Sequence, residues 1–314
     1  MSKGIAGARG FIGSYLCRYL LSRAQGSLRL LIRGASEIPK LEGSDVFCGD
    51  LLSRQDCERF ADGLKIIYYL AHVHTPVNSD YDLPNDALLN LVPLLNLLDA
   101  IQHLRTKPHI VYFSSGGAIY ATDRRGVPYR ETDPCAPLSS YGIQKLAAEE
   151  YLQLASSKGY LTAAVLRVGN AYGTLLPQHR TQGLIGVAVN RGIHGQPVRI
   201  FGSLANVRDY VHLEDVCAMA ERASNPASEF TIVNVGSGIG HSVSEVLRVI
   251  EECHGHPLPL EVDERCGTNL PGWVVLDNTK ARCDFGWQPT IDLRSGIEQL
   301  IAQSQTPSAL AAAF

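Results

Sequence analysis

The stretch Gly7-Ala-Arg-Gly10-Phe-Ile-Gly13 decides the fold predicted for this chain. It follows a short apolar run, Lys3 to Ala6, and precedes a helical pattern that begins at Ser14. A strand, a glycine turn and a helix in this order let the backbone approach a pyrophosphate held at the positive end of the helix. The alternative is a glycine-rich surface loop, because a glycine triplet alone is a weak signal.

Strand-like and helix-like patterns alternate through the first half of the chain. Strands are predicted at residues 28–32, 66–71, 109–114 and 161–167, and helices at residues 14–24, 86–104 and 141–157. Such alternation implies right-handed crossovers, so we predict an α/β fold with a doubly wound parallel sheet of the Rossmann type. Pro93 falls inside the pattern 86–104 and is expected to kink or break that helix.

The pattern loosens after residue 170, where Gly, Pro and short strands become more frequent. Helices are predicted there at residues 213–223, 242–252 and 293–304. We predict a dinucleotide-binding domain at residues 1–168, with a return near 205–225, and a smaller α/β substrate-binding domain at 169–314, interleaved with the first.

Tyr141 and Lys145 carry the clearest chemical signal. Their spacing places a phenol and an ammonium one turn apart on the same face of a helix. An adjacent cation favours the phenolate, which is expected to lower the pKa of Tyr141 toward neutral pH and make it a general base. A Tyr four residues before a Lys is common by chance, but here the pair follows a glycine turn and a Ser-Ser-Gly-Gly strand end.

Composition argues against several classes of protein. A formal net charge of −3 over 314 residues offers no basic surface for nucleic acid. Neither a signal peptide nor an apolar run of about 18 residues is recognised, so we expect a cytoplasmic protein without membrane contact. The eight cysteines include no C-x-x-C pair and are expected to be reduced. The pairs His72/His74 and His254/His256 lack further ligands at suitable spacing, so no metal site is predicted.

Further motifs extend this series along nearly the whole chain. They are Gly49-Asp50-Leu51, Leu70-Ala71-His72, Asn90, Ser114-Ser-Gly-Gly-Ala-Ile-Tyr120, Arg167-Val-Gly-Asn170-Ala-Tyr-Gly173, Arg208-Asp-Tyr-Val-His212 with Asp215, Asn234-Val-Gly-Ser-Gly238, Arg265 and Phe285-Gly-Trp287-x-Pro289. In this order they resemble the extended short-chain dehydrogenase/reductase family, specifically its nucleotide-sugar epimerases and dehydratases. The series is more specific for the family than for the substrate.

The resemblance implies a role for each matching position. The cofactor would be held by the turn residues Gly7, Gly10, Phe11, Ile12 and Gly13, by Asp50 and Leu51 at its adenine end, and by Leu70, Ala71 and His72 along its length. Tyr141 would be the base, and Lys145 would bind the nicotinamide ribose. Asn170, Arg208 and Arg265 would meet the diphosphate of a nucleotide-sugar substrate, and the planar fork of a guanidinium suits phosphate oxygens.

The active-site serine departs from the family pattern. Many relatives place Ser or Thr four residues before the strand-end tyrosine, where it binds the reacting oxygen. Counted back from Tyr120, that position is Gly116, and Ser115 lies one residue earlier. Some relatives share the Ser-Ser-Gly-Gly form, so Ser115 is the predicted catalytic and substrate-binding serine. Ser114 is the alternative, and a Ser115 that only bonds the backbone is another.

The cofactor expectation is NAD(P), with NADP preferred. Folds that prefer NAD usually end their second strand with an acid that binds the ribose 2′-hydroxyl. Here the strand ends Leu30-Leu-Ile-Arg33-Gly34, and Arg9 lies in the glycine turn. Two cations near the 2′ position suit a phosphate, as in the NADPH-dependent reductases of this family. Alternatively, Arg33 is an exposed charge without a ligand.

Three functions follow from these observations. The first is a nucleotide-sugar 4-epimerase, and the second is an NADPH-dependent reductase of nucleotide-linked 4-ketohexoses. The third is a non-catalytic dinucleotide sensor, which the retained Tyr and Lys disfavour. A homodimer is also predicted, because relatives commonly pair through the Tyr/Lys helix and its neighbour.

Overall fold

Strands and helices alternate along the chain in the computed structural model, which describes residues 2–23, 27–34, 42–73, 79–120, 126–177, 180, 182–263 and 271–305. The strands are β1 (Lys3–Ala6), β2 (Leu28–Ile32), β3 (Ser44–Cys48), β4 (Ile66–Tyr69), β5 (His109–Ser115), β6 (Thr162–Val168), β7 (Asn170–Tyr172), β8 (Val198–Phe201), β9 (Val207–His212), β10 (Phe230–Val235), β11 (Gly240–Ser242), β12 (Leu260–Asp263) and β13 (Trp273–Val274). The helices are α1 (Phe11–Arg23), α2 (Arg54–Ala61), α3 (Leu83–Asn90), α4 (Val92–Gln102), α5 (Gly116–Ile119), α6 (Ser140–Ser157), α7 (Leu184–Ile193), α8 (Leu213–Ala223), α9 (Val243–His254), α10 (Thr279–Phe285) and α11 (Leu293–Gln305).

The main sheet has seven parallel strands in the order β10–β6–β5–β4–β1–β2–β3. From β1 the chain first adds β2 and β3 on one side and then continues with β4 on the other. The order of strands therefore reverses between β1 and β4, and ligands of doubly wound sheets bind at the carboxyl ends of the strands at such a point. The predicted α/β Rossmann-type sheet is confirmed.

Helices cover both faces of this sheet. The core on one face contains apolar side chains of α1 and α8, and the core on the other face contains those of α2, α4 and α6. Both faces of a parallel sheet must be buried, which accounts for the nearly continuous apolar runs in β4, β5 and β6.

A smaller region with mixed pairing lies beside the main sheet. Its strand β9 pairs in parallel with β7 and β13 and antiparallel with β11, and β8 pairs in parallel with β12. A separate core contains apolar side chains of α7, α9 and α11. The chain returns from this region to the main sheet through β10, a strand that the sequence analysis did not assign. The domain boundary at residue 168 stays a prediction.

Pro93 breaks the helical pattern as expected. The predicted single helix 86–104 is two helices, α3 and α4, which meet at Leu91. Pro93 lies in the first turn of α4, where its missing N–H costs no helical hydrogen bond. The break lets α3 contact the helix that carries Tyr141, a contact that matters for the site.

Candidate active site

The glycine turn connects β1 to α1 by close backbone contacts. Gly7 has a φ of +94°, and a Cβ placed on it would lie 2.7 Å from the backbone nitrogen of Ala71. A Cβ on Gly13 would collide with the carbonyl oxygen of Gly7. Side chains at either position would force the turn away from β4 and α1. The 13-residue helix α1 therefore begins at the carboxyl edge of the sheet, a position that suits a pyrophosphate.

Residues predicted for the adenosine end lie along the same edge. Arg9 and Arg33 are both exposed, and Arg33 directly follows β2. Asp50 follows β3, where its Oδ1 accepts a hydrogen bond from the Leu52 nitrogen at 2.9 Å. Leu51 is buried. Since β1, β2 and β3 are parallel neighbours, these residues end up at one edge of the sheet.

The segment after β4 lies between the glycine turn and α6. The Leu70 nitrogen donates to the Ala6 carbonyl oxygen at 2.8 Å, which extends the pairing with β1 by one bond. The ring of His72 packs edge-on against the ring of Tyr141, with centroids 4.8 Å apart and an angle of 87° between planes. Leu70, Ala71 and His72 thus lie at the switch point, beside the predicted base.

Tyr141 and Lys145 lie in the first turns of α6, next to the end of β5. The Ser115 side chain lies close enough to the Tyr141 phenol to lower its pKa, against the effect of burial. The Nζ of Lys145 donates to the Phe113 carbonyl oxygen at 2.9 Å and lies 5.6 Å from the centroid of the Tyr141 ring. The structure therefore brings Ser115, Tyr141 and Lys145 together, although they come from two separate elements.

The pKa of Tyr141 differs from the expectation drawn from the sequence. Burial raises the pKa of Tyr141 above its usual value, and the Ser115 side chain opposes this only in part. Lys145 was expected to lower it, but burial also lowers the pKa of Lys145 to about 7, although Glu149 raises it. The expectation was wrong for this structure because a buried ammonium is partly neutral at neutral pH and is a weak source of positive charge.

The two serines at the end of β5 face different surroundings. The Oγ of Ser114 donates to Oε1 of Glu149 at 2.5 Å, and Glu149 is buried in an ion pair with Arg167 at 2.6 Å. Ser114 is therefore committed to a buried network, whereas Ser115 reaches Tyr141. This alternation follows from strand geometry, in which adjacent side chains point to opposite faces. The catalytic role of Ser115 stays a prediction.

The predicted substrate residues belong to the smaller region. Asn170 begins β7, and its Oδ1 lies 3.4 Å from a Cβ placed on Gly117, a position 4.0 Å from Oγ of Ser115. Arg208 lies on β9, which pairs with β7, and its Nη1 donates to the Val207 carbonyl oxygen at 2.8 Å. Asn170 is thus near the Ser115 side of the site. Arg265 and His74 lie outside the described residues.

A group of polar residues around the first turn of α6 was not predicted from the sequence. These are Ser79, Asp80, Asp86, Ser140 and Gln144, which are linked by hydrogen bonds. The only signal for this group in the sequence was Gln144, a polar residue inside the Tyr141–Lys145 motif.

In the part of the chain that the structure describes, no three potential ligands form a metal site and no helix is suited to crossing a membrane.

Comparison with known proteins agrees with this geometry. A family model described as "NAD dependent epimerase/dehydratase family" matches residues 4–236. The chain belongs to this family. It is 32% identical over 307 residues to a UDP-glucose 4-epimerase from Mycolicibacterium smegmatis, covering 95% of this chain and 96% of the relative. This family membership makes the protein an enzyme of the NAD-dependent epimerase/dehydratase class.

Two further relatives bear on cofactor and reaction. A UDP-glucose 4-epimerase from Thermus thermophilus, solved in complex with NAD, is 28% identical with a TM-score of 0.88, and the match covers 98% of this chain and 100% of that one. A dTDP-4-dehydro-6-deoxyglucose reductase from Escherichia coli is 27% identical over 238 residues, covering 76% of this chain and 74% of the relative. The family is NAD-dependent, and the expected preference for NADP finds no support in these relatives.

Proposed function

We propose that this protein is a nucleotide-sugar 4-epimerase that acts on a UDP-linked hexose. The observation that carries the proposal is the grouping of Ser115, Tyr141 and Lys145, in which the Ser115 side chain lies beside the Tyr141 phenol and Lys145 is buried one turn further along α6. This arrangement offers one phenol, one hydroxyl and one ammonium around a point at the carboxyl edge of the sheet. Two relatives that each match 95% of this chain are named as a UDP-glucose 4-epimerase and a putative UDP-glucose 4-epimerase, which supports the choice of reaction and substrate.

The residues around the glycine turn fit a nicotinamide dinucleotide. Close contacts of Gly7 and Gly13 fix the turn so that α1 begins at the carboxyl edge of the sheet, where a pyrophosphate would bind, and Asp50, Leu51 and residues 70–72 follow strands that end at the same edge. Such a cofactor supplies a hydride acceptor and, when oxidised, a positive charge on its ring. That charge would favour the phenolate of Tyr141, which the protein alone does not.

Tyr141 accepts the proton of the sugar's 4-hydroxyl group when C4 is oxidised, and it returns a proton to the same oxygen when C4 is reduced again with inverted configuration. Ser115 holds the same oxygen by a hydrogen bond and keeps the Tyr141 phenol directed toward it. Lys145 is anchored to Phe113 and binds the ribose of the cofactor. Asn170, Arg208 and Arg265 bind the diphosphate, which leaves the sugar free to turn between the two proton transfers.

An activity assay with defined nucleotide sugars tests this proposal. The purified protein is incubated with UDP-glucose or UDP-galactose, and the products are separated by chromatography and identified by NMR. An epimerase interconverts the two without net consumption of reduced cofactor. Mass spectrometry of the released cofactor shows whether a dinucleotide copurifies, as expected for an enzyme that regenerates it in each turnover. Failure to convert either sugar with added NAD would reject the proposed substrate.

A second candidate is an NADPH-dependent reductase of a nucleotide-linked 4-keto-6-deoxyhexose. Arg33 favours it, because this exposed cation occupies the place at the end of β2 where an acid would bind the ribose hydroxyl. The Escherichia coli reductase among the relatives is consistent with it. Stoichiometric loss of NADPH absorbance on addition of a dTDP-4-keto-6-deoxyhexose, with no epimerisation of UDP-hexoses, would identify the reductase.

A homodimer is part of the proposal. The outer face of α6 exposes Ile143, Tyr151 and Leu154, and the adjacent helix α3 exposes Leu83 and Leu88. Apolar side chains at this spacing form one stripe along a helix, and neighbouring exposed apolar groups favour association. Two copies paired through α3 and α6 would cover this stripe.

A further inference from the structure

The carboxylate of Asp86 is fully buried beside α6. Its Oδ2 accepts a hydrogen bond from Oγ of Ser140 at 2.6 Å and another from Nε2 of Gln144. Its Oδ1 accepts from Nδ2 of Asn90 at 2.7 Å. A carboxylate has acceptors on both oxygens and so satisfies donors from two helices at once. An apolar side chain here would leave these donors buried without that acceptor, which is costly.

The two α6 partners of Asp86 flank the predicted base. Ser140 directly precedes Tyr141, and Gln144 directly precedes Lys145. Two backbone nitrogens of the same turn are also bound from the α3 side: Ser140 donates to Oδ1 of Asp80 at 2.7 Å, and Tyr141 donates to Oγ of Ser79 at 3.1 Å. The first N–H groups of a helix have no acceptor inside it. Side chains of residues 79–86 thus accept hydrogen bonds from the first turn of α6.

Asn90 extends the network to the other wall of the site. Its Nδ2 faces Asp86, so its Oδ1 points the other way and accepts a hydrogen bond from the Val73 nitrogen at 2.6 Å. Val73 follows His72, whose ring packs against Tyr141. Because a carboxylate only accepts, Asp86 determines which way the Asn90 amide is turned. One buried carboxylate therefore joins the Tyr141 helix to the segment after β4.

We propose that Asp86 is a positioning residue, which sets the place of Tyr141 and Lys145 relative to residues 72–73 by holding both walls of the cofactor site. The inference rests on the proposed function, in which Tyr141 and Lys145 act in catalysis and residues 70–72 line the cofactor. Asp86 itself is fully enclosed by protein. It acts through Ser140, Gln144 and Asn90.

Asp86→Asn tests this, because it keeps the size of the side chain but turns an N–H group toward the donors. We expect NADH affinity, measured by fluorescence titration, to fall about tenfold, and kcat at saturating cofactor to fall about tenfold or more, since small displacements of reacting groups are costly. The KM for UDP-glucose should change by less than about threefold, because Asp86 bonds to Asn90, Ser140 and Gln144, which are not among the predicted diphosphate residues.

A matched control separates positioning from general stability. Asp215 is also buried, and its carboxylate accepts from the Thr290 nitrogen at 3.0 Å and the Ile291 nitrogen at 3.1 Å, with no contact to α6. Asp215→Asn should lower the unfolding temperature by an amount similar to Asp86→Asn while keeping NADH affinity and kcat within about twofold. If Asp86→Asn likewise keeps NADH affinity and kcat within about twofold of wild type, the positioning role is rejected.

Reversal of the hydrogen-bond polarity provides a rescue. In Asp86→Asn combined with Gln144→Glu, the amide at position 86 donates to the carboxylate at position 144, so the link between α3 and α6 is restored. Recovery of NADH affinity to within about threefold of wild type supports the proposal, and no recovery in a folded protein overturns it. Should Asp86→Asn not fold, Ser140→Ala removes one partner only and is expected to weaken NADH binding about threefold; unchanged binding would again reject the inference.

NADH titration also keeps this inference separate from the proposed function. Tyr141→Phe with full epimerase activity would refute the function but leave the NADH measurements on Asp86→Asn interpretable. Normal NADH affinity in Asp86→Asn alongside an inactive Tyr141→Phe would reject the role of Asp86 alone.

Discussion

Lys145 donates a hydrogen bond through its Nζ to the carbonyl oxygen of Phe113, 2.9 Å away. This bond ties α6 to β5 two residues before Ser115, so the helix and the strand that carry Tyr141 and Ser115 are held together at the site. The ammonium is buried, and this burial lowers its pKa to about 7.

The lowered pKa of Lys145 predicts a pH-dependent stability. The folded value is about 7 and the ordinary value is 10.5, so between these the unfolded chain binds more protons and stability rises with pH. Lys145→Met removes this contribution. The free energy of unfolding of Lys145→Met minus that of the wild type should therefore be largest at or below about pH 7 and should decrease toward about pH 10. Urea denaturation of both proteins across this range tests the trend, and a constant difference would contradict it.

Loss of the phenol hydroxyl should abolish most of the activity. Tyr141→Phe keeps the ring that packs against His72, so fold and NADH binding should remain. Turnover of UDP-glucose should fall by at least about a hundredfold, the usual scale for a general acid–base. Steady-state kinetics and an NADH titration measure the two effects. Near-full activity would show that another group moves the proton.

The adjacent serines should give opposite effects when replaced. Ser115→Ala removes the hydroxyl beside the Tyr141 phenol and should lower kcat by about tenfold or more with little change in stability. Ser114→Ala leaves the buried Glu149 without one donor and should destabilise the fold by about 1–3 kcal/mol with little effect on kcat. Steady-state kinetics and thermal unfolding of both variants measure these two effects. A loss of kcat in Ser114→Ala with little effect in Ser115→Ala would place Ser114 in the active site.

Disruption of the apolar stripe should separate the proposed dimer. Ile143 and Leu154 are 56% and 52% exposed on α6, and Leu154→Glu introduces a charge into the stripe. Light scattering should give a dimer mass for wild type and a monomer mass for Leu154→Glu at micromolar concentration. Ile239→Glu is a control, because Ile239 is similarly exposed, at 58%, but lies between β10 and β11. A monomeric wild type would refute the dimer.

Arg33 offers a direct test of cofactor choice. Arg33→Asp replaces a cation with a carboxylate that can accept from a ribose 2′-hydroxyl and repels a 2′-phosphate. The ratio of NAD to NADP affinity should shift toward NAD by about tenfold or more, because a hydrogen bond to a charged group contributes about 1.5–3 kcal/mol. Calorimetric titration of both cofactors into both proteins measures the ratio. An unchanged ratio would mean that Arg33 lies away from the ribose and would remove the main support for the reductase.

Local patterns in the sequence were sufficient for the fold class and for the pair Tyr141/Lys145. The strands 3–6 and 28–32 and the helix 213–223 have the predicted bounds, because apolar runs, a glycine turn and helical periodicity are local properties of the chain. The spacing of Tyr141 and Lys145 needs only a helix to place both on one face. Ser115 was chosen by its resemblance to relatives, and the structure adds the contact with Tyr141.

Properties that depend on burial, or on contacts between residues far apart in the chain, came only from the tertiary structure. The return of β10 to the main sheet joins residues far apart in the chain, and no local pattern marks such a pairing. The pKa of Lys145 depends on the exclusion of water by β5 and α6, not on its spacing from Tyr141. Asp86 belongs to no motif in the sequence, and its link to α6 arises because α3 ends at Asn90 and packs beside α6. Sequence spacing determined which groups the site contains, whereas burial and long-range hydrogen bonds determined their charge and their positions.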